Sequence, residues 1–93
     1  MIMLEETIIV ESEEGLHTRP ANKFVQLVKQ LGCHVTIRKG EKEAPGTSLL
    51  KIMKMGVVRG DEVLLTCDGE DEDGAMDTLK RFLMEGPAGE GQS

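Results

Sequence analysis

The 93-residue chain has no tryptophan, no tyrosine and only two phenylalanines. So few aromatic rings leave no stacking platform of the kind that grips single-stranded nucleic acid. An excess of positive charge is missing too. Seventeen Asp and Glu outnumber eleven Lys and Arg, for a net charge of −6. That balance excludes a protein whose affinity comes from the nucleic-acid phosphate backbone. No apolar run approaches the length of a membrane span. The opening MIMLEETIIV has no basic region and is interrupted by Glu5 and Glu6, so it does not read as a signal peptide and the expected location is the cytoplasm. The two cysteines, Cys33 and Cys67, form no C-x-x-C pair and fit no common zinc spacing. They read as small buried hydrophobes in a reducing compartment, with a disulfide between them left open.

What is present fits one small domain with a single modest core. Residues 3–10, MLEETIIV, carry β-branched residues in a row and read as a strand. From Pro20 the period changes: Ala21, Phe24, Val25, Val28 and Leu31 recur at helical spacing until Gly32. Residues 33–39 alternate as a strand, with His34 in mid-strand as a structural residue. A weak strand is expected at 42–44, before Pro45-Gly46. Thr47 or Ser48 can cap a short apolar helix holding Leu49, Leu50, Ile52, Met53 and Met55. EVLLTC (62–67) reads as a strand. DGEDEDG (68–74) reads as a turn into a last helix with Ala75, Met76, Leu79, Phe82 and Leu83 on its buried stripe. Residues 1–86 form the domain on this reading, and 87–93, PAGEGQS, a disordered tail. The order β-α-β-β-α-β-α predicts an α+β layer. In it one sheet carries all its helices on one face.

Two stretches resemble ligand loops and fail on spacing. GEKEAPGTS (40–48) lacks the lysine of a phosphate-binding P-loop, and its glycines stand one residue too far apart. DGEDEDG puts Gly69 at a position where a calcium loop needs a ligand. No metal and no cofactor are expected.

GLHTRPA (15–21) is the informative segment. Proline is tolerated in the first turn of a helix, so the segment delivers His17 and Arg19 to a helix N-terminus. Free N–H groups there attract anions. The positive end of the helix dipole favours a neutral imidazole, whose lone pair is a nucleophile. A phosphoryl group taken up by His17 would be an anion facing the backbone N–H groups of Thr18 and Arg19. The Arg19 guanidinium would add a charge-assisted contact. The bland alternative is that His17 merely caps the helix and Arg19 is a solvated charge. Gly15 frees the turn, and Leu16 staples the chain onto the core.

GLHTRPA resembles the active-site motif of the HPr family, the histidine-containing phosphocarriers of the bacterial phosphoenolpyruvate-dependent sugar phosphotransferase system. SLLKIMKMGV (48–57) is similar to the family's second motif, and DGEDEDGAM (68–76) to the entry of its last helix. The resemblance implies an open-faced sandwich of a four-stranded antiparallel sheet and three helices. It implies that His17 is phosphorylated on Nδ1 by Enzyme I and hands the group to sugar-specific enzyme IIA domains, with Arg19 the active-site arginine. On that reading the chain is a transfer intermediate and not an enzyme, and a monomer suffices.

The same resemblance gives Ser48 a second role beside helix capping. The matching serine is phosphorylated in many bacteria by an HPr serine kinase, after which the protein partners a catabolite-control transcription regulator. The family usually has a basic residue before this serine, and Thr47 stands there instead. Leu49, Leu50 and Met53 cannot all face inward on so short a helix. They form an expected partner surface, flanked by Lys51 and Lys54.

Overall fold

The computed structural model describes residues 3–86. The expected tail at 87–93 lies outside the described residues. Seven elements follow in the predicted order: β1 (Leu4–Ile9), α1 (Thr18–Leu31), β2 (His34–Lys39), β3 (Lys42–Pro45), α2 (Leu49–Met55), β4 (Glu62–Asp68) and α3 (Glu72–Glu85). The four strands form one antiparallel sheet in the order β1-β4-β2-β3. The last strand therefore slots between β1 and β2, which α1 connects. This split β-α-β arrangement makes residues distant in sequence into direct neighbours.

Period-two burial shows in β4, where Val63, Leu65 and Cys67 face the core and Glu62 is exposed. Val35 and Ile37 of β2 face the same way. Against this face pack the stripes of α1 (Ala21, Phe24, Val25, Val28) and α3 (Ala75, Met76, Leu79, Phe82, Leu83). Phe24 and Phe82 meet with ring centroids 5.9 Å apart, tilted by 55°, a favourable aromatic geometry. Ile52 and Met55 bring α2 into the same core.

Beyond shifts of one residue at strand ends, three placements differ from the sequence expectation. First, α1 begins at Thr18, so Pro20 is its third residue and not its first. Either position suits proline, because neither amide would find a partner within the helix. Second, α3 begins at Glu72, inside the stretch read as a turn. Glu72 and Asp73 lie in its first turn, where their charges complement the dipole. Third, His34 is the first residue of β2 and exposed, across the ladder from Asp68, and not in mid-strand.

Both thiols are buried and free. Burial, reinforced by the nearby Cys33, pushes the Cys67 thiol up to about 11 from an ordinary 9.0. A raised native value means that the folded state holds its proton longer than the unfolded chain. The stabilisation is complete below pH 9.0 and is lost as pH rises toward about 11. Urea titrations across this window should show stability falling more steeply in the parent protein than in Cys67→Ala. Parallel curves would contradict the buried-thiol assignment.

Candidate functional site

His17 is the N-cap of α1, with extended backbone (φ −76°, ψ −166°). Its carbonyl accepts the first helical bond, from Ala21 N–H at 2.8 Å. The ring is exposed and makes no capping hydrogen bond, so His17 caps α1 through its backbone alone. Pro20 has no N–H to offer. The open donors of the first helical turn are thus the amides of Thr18 and Arg19, next to the ring. The Arg19 side chain is exposed and forms no ion pair with any described residue. An exposed imidazole, two backbone donors and an exposed guanidinium could together receive an anion attached to the ring.

The loop before His17 is pinned from two sides. The amides of Glu11 and Ser12 both donate to Leu83 O, each at 3.2 Å. That carbonyl lies in the last turn of α3, where no helical partner exists. Gly15 N–H donates back to Ser12 O at 3.1 Å. On the other side, Leu16 N–H donates to Val57 O at 3.0 Å. The Leu16 side chain is buried, as is Ala21, the pair of positions that form a hydrophobic staple. Gly15 has φ +59°, and a Cβ there would stand 2.6 Å from Val57 O and 2.8 Å from Val58 Cα. Only glycine fits both the dihedral and the gap.

Ser48 is the N-cap of α2, and its Oγ accepts from Lys51 N–H at 3.4 Å. The expected partner residues divide. Leu50 is 64% exposed and Met53 37%, whereas Leu49 is half-buried against the core. Lys51 and Lys54 are exposed beside them. Val58, 43% exposed, is an apolar surface residue that the sequence reading missed. It belongs to no periodic element, so its only signal was the apolar pair Val57-Val58 after Gly56. Because the 57–58 segment lies against Gly15, apolar surface borders the histidine loop. No helix among the described residues is long and apolar enough to cross a membrane.

Comparison with known proteins adds an independent line. The family model described as the PTS HPr component phosphorylation site matches residues 4–85. The phosphocarrier protein HPr of Haloferax volcanii is 33% identical over 82 residues, spanning 86% of this chain and 92% of that protein. The crystal structure of a phosphocarrier protein HPr from Bacillus anthracis superposes with a TM-score of 0.85 at 26% identity, covering 89% of this chain and 99% of the other. The solution structure of Crh, the Bacillus subtilis catabolite repression HPr, gives a TM-score of 0.66 at 32% identity, covering 88% and 98%.

Gly15→Ala should lose about 2 kcal/mol of stability, from the left-handed dihedral and the forced retreat of the 57–58 segment. Chemical denaturation measures it. A neutral substitution would mean that the loop can leave the 57–58 segment without cost.

Proposed function

The chain belongs to the HPr family, and from that premise we propose that His17 is its phosphoryl-carrying residue. The observation that carries this reading is that His17, exposed and without a capping hydrogen bond from its ring, is the N-cap residue directly before the Thr18 and Arg19 amides. The Nδ1 lone pair attacks the phosphorus of a phosphohistidine on Enzyme I. One N–P bond forms as the other breaks, and the electron pair returns to the donor ring. Each ring keeps the proton on its other nitrogen, so no net proton transfer is needed. The exchange is reversible, which suits onward delivery to a histidine of an enzyme IIA domain. Thr18 and Arg19 amides hold the phosphoryl oxygens, and the Arg19 guanidinium balances their charge.

The protein itself supplies no second substrate and turns nothing over. It is a cytoplasmic transfer intermediate and not an enzyme, and a monomer meets the need to present one face to successive partners. Leu50, Met53 and Val58, with Lys51 and Lys54 beside them, supply that face; Leu49 supports it from beneath.

A second reading has its own support. Ser48 caps α2 next to this apolar surface, and one structural neighbour is a catabolite repression HPr. Phosphorylation of Ser48 by an ATP-dependent kinase would place a dianion beside Leu50 and Met53. It would thereby favour a transcription regulator over Enzyme I. Thr47 in place of the usual basic residue bears on the kinase and leaves His17 unaffected.

Incubation with Enzyme I and phosphoenolpyruvate, followed by intact mass measurement, separates the two. The expected product carries one acid-labile phosphoryl group, lost in His17→Ala. Arg19→Ala should accept it about tenfold to a hundredfold more slowly, the worth of one charge-assisted hydrogen bond. No modification by a competent Enzyme I would refute the carrier reading. An acid-stable phosphate added only by kinase and ATP, absent in Ser48→Ala, would support the regulatory one.

A further inference from the structure

We propose that Asp61, held by Lys39, is a positioning residue for His17 and acts through a single peptide unit. The Val57 carbonyl and the Val58 N–H are the two ends of one peptide group. Leu16 N–H donates to the carbonyl at 3.0 Å. Asp61 Oδ2 accepts from the N–H at 2.9 Å. The carboxylate thus grips the far side of the same rigid plane on which the residue before His17 hangs. Peptide planarity transmits any tilt of one end to the other. An anion accepting from the N–H also polarises the carbonyl and strengthens the bond to Leu16.

The grip is itself fixed. Lys39 Nζ lies 2.8 Å from the same Oδ2 and donates to Gly56 O at 2.9 Å. One ammonium therefore ties the end of β2 to both sides of the segment that follows α2. Residues 58–61 close as a turn, with Asp61 N–H donating to Val58 O at 3.0 Å and Gly60 at φ +95°. That positive dihedral at the third turn position is the one glycine adopts freely. The turn is sewn to Val10, the residue after β1: Val10 N–H donates to Asp61 O at 2.9 Å, and Gly60 N–H to Val10 O at 2.7 Å. Lys39 and the Val58 amide also hold the Asp61 carboxyl below its ordinary value, which agrees with an anion gripped by both. His17, Leu16, Val57, Asp61 and Lys39 come from three separate parts of the chain. The contacts run from the end of β2 through Asp61 and the Val57–Val58 peptide to Leu16, the residue before His17.

The inference rests on the carrier reading of His17, and its test separates the two. Amide hydrogen exchange in the full-length protein reads the Leu16 N–H directly. In Asp61→Ala, Leu16 should exchange about tenfold faster while the sheet amides of Ile37 and Leu65 keep their rates. Phosphoryl acceptance at saturating Enzyme I should slow by a comparable factor with little change in KM. Asp61→Asn keeps an acceptor for Val58 N–H and should fall between Asp61→Ala and the parent. It serves as the readout if Asp61→Ala folds poorly. Lys39→Met should show the same direction, and Lys39→Arg should restore most of the loss. Unchanged Leu16 exchange in Asp61→Ala, or faster exchange shared equally by Ile37 and Leu65, overturns the positioning role. So does normal transfer in Asp61→Ala beside a normal parent. A parent protein that accepts no phosphoryl group refutes the carrier reading instead, and the Leu16 exchange still decides whether Asp61 sets the loop.

Discussion

The hydrogen bond from Leu16 N–H to Val57 O, 3.0 Å long, joins the two segments on which every functional feature depends. Before it stand Gly15, whose missing side chain lets the backbones approach, and the loop anchored on α3 through Leu83 O. After it comes His17, whose carbonyl opens α1. On the other side lies the exit of α2, with Leu50, Met53 and Val58 on the surface. A reactive side chain exposed on a loop would ordinarily wander. Here the loop is short, backbone-bonded at both ends and stapled by a buried leucine, so the exposed ring keeps one place relative to the helix start.

The chemistry proposed for His17 asks for little beyond that placement. The energy of transfer resides in the N–P bond, so the carrier must present a free lone pair and then shelter a dianion. Helix geometry supplies two amides for the second task, and Pro20 makes the supply definite by withdrawing a third. Burial would hinder both tasks, because each partner must reach the ring. That is why His17 and Arg19, on the proposed reading, belong on an exposed face, over a core of aliphatic and aromatic side chains, two methionines and two thiols.

Local signals carried much of this. The strand alternation in EVLLTC, the helical stripe from Ala21 to Val28 and the histidine before Thr18-Arg19-Pro20 were legible, because neighbours in sequence determine them. The start of α1 was misplaced by two residues, since proline is equally at home in several first-turn positions. The Leu16 staple was legible, but the backbone fastening of the loop was not. Leu83 meets Ser12, and Val57 meets Leu16, across about seventy and forty residues of chain, a juxtaposition created only when β4 inserts between β1 and β2. Nothing local marks Asp61 for the same reason: its partner Lys39 lies far off in sequence, at the end of β2. The exposure of Val58 likewise follows from the turn geometry and not from any periodicity.

The central claim is that the start of α1 holds the phosphoryl group that His17 carries. A ¹H–¹⁵N spectrum of the protein before and after phosphorylation tests it most directly. The account predicts that the Thr18 and Arg19 amide protons move furthest downfield, as each becomes a donor to a phosphoryl oxygen. A phosphorylated protein whose Thr18 and Arg19 amides stay where they were would contradict it.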